Sequence, residues 1–330
     1  MSTRQTFQQQ IAQNKRRSWL LLLVIAALLV VFGYVIGVAW TGNPRTGLVF
    51  IPAAIALSGV LSMGAWFGGD GLVLAASKAR QIGEADAPQL MNVVTELTLA
   101  AGIPMPRVFI IDDSAPNAFA TGRDPRHASI AITTGLLDKL DREELQGVIA
   151  HELSHVRNYD IRFSLLVGVM VGSIALLADM FLRVTWWSGM TGGRRSRSNN
   201  NDSSGGLAAV MMVVAIVLAI LAPIFSRMVQ LAVSREREYL ADASSVDLTR
   251  NPTGLEQALM KIAADPEPLE VANRATQHLY VVNPVKKLDA SSRGLFSTHP
   301  PIVDRVNRLR ALTGQPPLDA AALAQLAELS

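Results

Sequence analysis

Two histidines four positions apart, His151 and His155, bracket a glutamate in the run Val148-Ile149-Ala150-His151-Glu152-Leu153-Ser154-His155. On an α-helix this spacing sets both imidazoles on one face, a turn apart, where they share one cation, with Glu152 beside the metal to act on its bound water. The chemistry is metal-assisted hydrolysis. Two surface histidines on an ordinary helix would be the plainer reading. A helix is expected here on independent grounds, however. Asp141 followed by Glu144 forms a capping-box start, no proline breaks the run to about Tyr159, and apolar residues precede the first histidine.

A catalytic zinc takes three protein ligands and keeps a position for water. The chain contains no cysteine and five histidines (His127, His151, His155, His278 and His299), so the third ligand comes from a short list. The lack of cysteine also excludes disulfides, Cys-ligated zinc, Cys-bound iron–sulfur clusters and thiol nucleophiles. A metzincin would need glycine at position 158 and histidine at 161, where Asn158 and Ile161 stand, so that class is excluded. No glutamate lies between Glu152 and Glu236, and the carboxylates in that interval are Asp160, Asp179 and Asp202. The third ligand is therefore expected in Ser234-Arg235-Glu236-Arg237-Glu238-Tyr239-Leu240-Ala241-Asp242. Spacing does not choose between Glu236 and Glu238. Glu238 and Asp242 share a helical face, and two like charges there need a cationic neighbour. Two histidines and a carboxylate suit zinc, one ion per chain, although a similar trio holds non-haem iron.

The elements that must bring these residues together begin in a hydrophobic setting. Half of the 330 residues are apolar and only 17% are charged, which points to a membrane protein. A formal charge of +3 without a dense basic block argues against nucleic acid as a partner. Residues 1–18 form a polar extension. Trp19 to Trp40 and Leu48 to Gly69 are uncharged and long enough to cross a bilayer, giving a helical hairpin over 19–69. Lys15, Arg16 and Arg17 place its open end in the cytoplasm, so 70–160 should be cytosolic. A second hydrophobic pair is expected over 161–226, with apolar runs at 163–181 and 207–225 and a Gly, Ser, Asn and Arg linker at 183–206. The arginines of that linker disagree with the charge rule, so full crossing by this pair stays open. A hairpin returns the chain to its starting side, which allows 227–330 to meet the His151 helix.

Within 70–160, Asp86 reads as the N-cap of an amphipathic helix ended by Gly102. Val108 to Ile111, Ala118 to Ala120 and Ser129 to Thr133 read as short strands. The fold class is mainly α with a small β-sheet, an integral membrane metalloprotease domain built on a His-Glu-x-x-His helix.

Further landmarks carry a resemblance. Asn117-Ala118-Phe119-Ala120-Thr121-Gly122, Thr134-Gly135-Leu136-Leu137, the His151 motif continuing to Asn158 and Asp160, Arg237-Glu238-Tyr239-Leu240-Ala241-Asp242 and Thr298-His299-Pro300-Pro301 together resemble the HtpX branch of the membrane gluzincins, relatives of the CaaX prenyl proteases. The resemblance covers about Pro88 to Leu312 and the N-terminal hairpin. It implies zinc ligation by His151, His155 and Glu238, and Glu152 as the base. Asp242 would be the acid that orients a ligand histidine, and His299 a donor to the oxyanion. It also implies an edge strand, Asn117, Ala118, Phe119 and Ala120, on which a substrate backbone lies.

The expected activity is zinc-dependent hydrolysis of peptide bonds in misfolded or damaged membrane proteins, or other unfolded polypeptides, under stress. The expected location is the cell membrane, multi-pass, with the protease domain facing the cytoplasm. Two other readings compete: a non-proteolytic membrane chaperone or adaptor with a structural metal, and a prenyl-protein protease. Two to four spans are few for the enclosed chamber of the latter. Oligomeric state is not legible.

Overall fold

A computed structural model describes residues 7–41, 44–166, 235–265, 267 and 300–318. The expected apolar run at 207–225, the linker at 183–206, most of the run at 163–181, and His278 and His299 lie outside the described residues.

Helix α1 (Phe7–Thr41) is followed by the short α2 (Pro44–Gly47) and by α3 (Phe50–Ala76). α1 and α3 pair as a hairpin, with the Trp19 and Trp66 rings stacked 5.6 Å apart. α1 starts well ahead of Trp19, so the polar residues before the apolar run continue the same helix. Among the described residues, no helix is long and apolar enough to cross a membrane.

Four strands follow: β1 (Arg80–Gln81), β2 (Arg107–Ile111), β3 (Ala118–Gly122) and β4 (Ala128–Thr133), ordered β1-β2-β4-β3. β2 and β4 run parallel, while β1 and β3 are antiparallel to their neighbours. β3 is thus a terminal strand of the described sheet. The strands fall where the β-prone runs were expected, each extended by a residue or two.

Helix α4 (Pro88–Ala101) ends at Gly102, whose φ of 64° lies in the left-handed region that glycine enters freely. Its N-cap differs from the expected one. Ala87 occupies that position, and Asp86 instead accepts the Gly83 N–H at 2.8 Å, closing the preceding turn. Pro88 at the first turn needs no capped N–H of its own, which removes one of the demands a side-chain cap would meet.

After α5 (Thr134–Lys139), helix α6 (Arg142–Arg157) starts with the expected capping box. Asp141 accepts from the Glu143 and Glu144 N–H groups, and the Glu144 carboxylate accepts the Asp141 N–H. α6 is buried along most of its length. It packs between α4, the β3 edge of the sheet, α7 (Arg235–Thr249) and α8 (Pro252–Ala264), while α9 (Ile302–Leu312) closes over α7 and α8. The core joins Val148, Ile149 and Leu153 of α6 to Leu90, Val93 and Val94 of α4, Ile130 and Ile132 of β4, Leu255 and Leu259 of α8 and Val306 of α9. α6 and α8 approach so closely that a Cβ on Gly147 would meet the Leu255 backbone nitrogen at 2.6 Å. A Cβ on Gly254 would meet the Glu143 carbonyl oxygen at the same 2.6 Å. Backbone contact at this crossing fixes α6 axially, and with it the depth at which its histidines sit.

Candidate metal centre

His151 and His155 project from one face of α6, as their spacing requires. α7 lies across that face and inserts Glu238. The three side chains offer ligand atoms that all lie within 4.8 Å of one another. The two Nε2 atoms are 3.2 Å apart, Glu238 Oε2 is 3.6 Å from His151 Nε2, and Glu238 Oε1 is 3.6 Å from His155 Nε2. Of the two glutamates that spacing left open, Glu238 is in this group.

Each imidazole is gripped from behind by its own carboxylate. His151 Nδ1 is 2.9 Å from Asp242 Oδ1, one helical turn beyond Glu238 on α7. His155 Nδ1 is 3.1 Å from Asp160 Oδ2. Carboxylates accept, so both Nδ1 atoms carry the hydrogen and both Nε2 lone pairs face inward. Two lone pairs at that separation repel unless a proton or a cation lies between them. The donor set, two neutral imidazoles and one carboxylate oxygen, therefore fits a divalent cation with room for a further ligand.

The electrostatics carry the same message. Burial works against an imidazolium at His151, but hydrogen bonds to Asp242 and Glu238 overcome it and raise the pKa to about 9. Burial is likewise outweighed at His155, whose pKa is raised by Asp160 and Glu238. Without a metal, protons take up the negative field of the site. Asp242 responds in the opposite direction. Burial would raise its pKa, yet Arg305 and His151 hold it down at about 2.

Arg305 of α9 is the cation behind that value. It is wholly buried and clasps Asp242 through both oxygens, Nη2 to Oδ1 at 2.7 Å and Nε to Oδ2 at 2.9 Å. Removing one member of such a buried pair costs about 3–5 kcal/mol, because the other charge is left without compensation.

Glu152 is also buried, and burial pushes its carboxyl pKa up against the opposing pull of His155 and His151. The Ala120 backbone on β3 also opposes that rise. Asn117, Ala118, Phe119 and Ala120 are all buried, and the Asn117 side chain accepts the Ala118 N–H at 3.0 Å. β3 thus packs against the motif helix. Pro300 is buried and Pro301 occupies the N-cap position of α9, whereas His299 just before them is outside the described residues. His127 is not in the group; it is half exposed and paired with Asp124.

Three contributors were not assigned from sequence. Asp160 was visible as the nearest carboxylate behind the motif and as a landmark of the resemblance, but without a role. It is aimed back at His155 because α6 stops at Arg157 and Tyr159 takes a φ of 61°. That conformation costs a non-glycine residue about 1–2 kcal/mol. Arg305 had a readable signal, an arginine inside the apolar stripe Ile302, Val306 and Leu309 of α9. Asn14 had none; it reaches the site from α1, distant in sequence.

The chain matches the model of peptidase family M48 over residues 84–313. It is 45% identical over 302 residues to a protein from Listeria monocytogenes serotype 4b named "Protease HtpX homolog", covering 91% of this chain and 98% of that one. The protein of the same name from Ligilactobacillus salivarius is 43% identical over 302 residues, with the same coverage. Among solved structures, Ste24p of S. mikatae aligns with a TM-score of 0.44 and 18% identity, over 91% of this chain and 66% of that one. The family model spans well over half the sequence, and the bacterial relatives match along nearly their whole length: the chain belongs to peptidase family M48.

Proposed function

We propose that this peptidase is a membrane-anchored zinc endopeptidase that cleaves misfolded or damaged membrane proteins and other unfolded chains at the cytoplasmic face. The observation that carries the reading is the convergence of His151, His155 and Glu238 on one point, with Glu152 buried beside them. Among the described residues this group has three members, which leaves a position for water and argues for a catalytic rather than a closed structural site.

His151, His155 and Glu238 would hold the ion, and Asp242 and Asp160 would fix the two imidazoles. Bound zinc supplies a Lewis acid that acidifies water and polarises the scissile carbonyl. Glu152, its pKa raised by burial, takes the proton from the attacking water and returns it to the leaving amine. His299 would donate to the developing oxyanion. The segment Asn117 to Ala120 would align the substrate backbone as an added strand.

Membrane anchoring is supported by the uncharged runs at 19–40 and 48–69 and by the apolar surface of α1 and α3. Trp19, Leu20, Leu23 and Val31 on α1 and Ile55, Val60, Met63 and Phe67 on α3 are all exposed, which suits apolar surroundings better than water. Lys15, Arg16 and Arg17 favour the cytoplasmic side for the end of α1 that carries them.

The test is Glu152→Gln in the full-length protein in detergent. Cleavage of an unfolded model substrate should fall by about 10²–10⁴-fold while the zinc content stays at one per chain. Cleavage at the wild-type rate would refute the assignment.

A further inference from the structure

We propose that Asn14, on α1, is a positioning residue for the metal centre, acting through Asp160 on His155. The inference rests on the metallopeptidase reading above. Asn14 lies in the stretch of α1 ahead of its apolar run, far in sequence from the motif, yet it is almost wholly buried. Its side-chain amide donates both hydrogens into the turn that ends α6, to the Asn158 carbonyl at 2.9 Å and to Asp160 Oδ1 at 2.6 Å. The other oxygen of the same carboxylate, Oδ2, faces His155 Nδ1 at 3.1 Å. One carboxylate thus bridges the α1 amide and the ligand imidazole, and its rotation about the Cβ–Cγ bond is fixed from both sides.

The surroundings hold this arrangement in place. Lys15 Nζ sits 4.3 Å above the Tyr159 ring, and Arg162 lies 4.9 Å from the centres of both the Tyr159 and Trp66 rings. Tyr159 is the residue with positive φ that turns Asp160 back towards the site. The start of α1 and the end of the motif helix are therefore docked at the one point where the His155 support is built. A ligand imidazole is oriented by its outer hydrogen-bond partner, and loss of such a partner weakens metal binding by about 10–100-fold. Asn14 sets the aim of that partner.

The experiment is competition for zinc between a chromophoric chelator and the metal-free, full-length protein in detergent. Wild type is compared with Asn14→Ala, Asp160→Ala, the double variant and Ser18→Ala. Asn14→Ala should weaken zinc binding by about 10-fold and Asp160→Ala by at least as much. The double variant should bind as Asp160→Ala does, because Asn14 has nothing to aim once the carboxylate is gone. Ser18→Ala, on the same helix without a contact to Asp160, should stay within about twofold of wild type. Wild-type zinc affinity in folded Asn14→Ala would overturn the proposal, as would penalties that multiply in the double variant. A lowered melting temperature with unchanged zinc affinity would show a merely structural residue and overturn it too. If Asn14→Ala does not fold, Asn14→Ser, which retains a shorter donor, should show an intermediate loss, and wild-type affinity there together with wild-type affinity in Asp160→Ala would refute the proposal. Failure of the wild-type chain itself to bind zinc is a different result, one that removes the metallopeptidase reading and this inference with it.

Discussion

The two ligand histidines stand a turn apart on one helix and are supported in unlike ways. His151 is wholly buried, and its carboxylate, Asp242, is clasped by a fully buried Arg305. Three elements distant in sequence, α6, α7 and α9, meet there. His155 is more exposed, and its carboxylate, Asp160, comes from the turn directly after the same helix. Its outer contacts are the Asn14 amide and the Arg237 guanidinium, 3.6 Å away. One support is a long-range buried ion pair formed only when the domain closes. The other is local, held by a strained turn and the docked start of α1. The first binds metal affinity to the stability of the domain, and the second binds it to the placement of α1.

The largest expected effect is on the first support. Arg305→Met should destabilise the metal-free chain by about 3–5 kcal/mol in denaturant unfolding, because it leaves Asp242 buried without its cation. Asn14→Ala, which removes one hydrogen bond to a carbonyl and one to a carboxylate, should cost less, about 2 kcal/mol. Equal losses would erase the contrast between the two supports.

The pH dependence sharpens the same contrast. With His151 raised to about 9 from 6.5, its stabilisation of the metal-free chain is complete below pH 6.5 and is lost as pH climbs through 9. The depressed Asp242 contributes in the other direction, fully above pH 3.8 and lost as pH falls through about 2. Zinc affinity should run opposite to the His151 curve. Binding expels the imidazolium proton, so affinity should rise with pH up to about 9, by about tenfold per unit or more, in chelator competition. A flat profile would show that His151 is already neutral. The smallest effect belongs to a histidine with neither kind of support. His127→Ala, at an exposed pair with Asp124, should change stability by less than about 0.5 kcal/mol and leave zinc binding untouched.

The same division governs what could be read in advance. The motif helix with its capping box, the three principal strands and the third ligand's segment followed from periodicity and spacing, which are local signals. Placing Glu238 in the metal-binding group needed either a resemblance or the observed approach of α7 to α6. Asp86 was misplaced as an N-cap because it satisfies a nearer turn, and a carboxylate two residues ahead of a proline serves either role equally well in sequence. Asp160 was in plain view, but nothing in its spacing reveals that a non-glycine residue at positive φ will turn it back on His155. Asn14 and Arg305 depend on packing between distant elements. Arg305 alone leaves a trace, as a charge within an apolar stripe.

The central claim is that two imidazoles of α6 and one carboxylate of α7 surround a single divalent ion. X-ray absorption at the zinc edge on the purified, zinc-loaded protein tests it most directly. The account predicts one zinc per chain with only nitrogen and oxygen neighbours at about 2.0–2.2 Å, two of them imidazoles, and loss of that signal in His151→Ala. Zinc absent from the folded protein, or a shell without imidazole scattering, would contradict it.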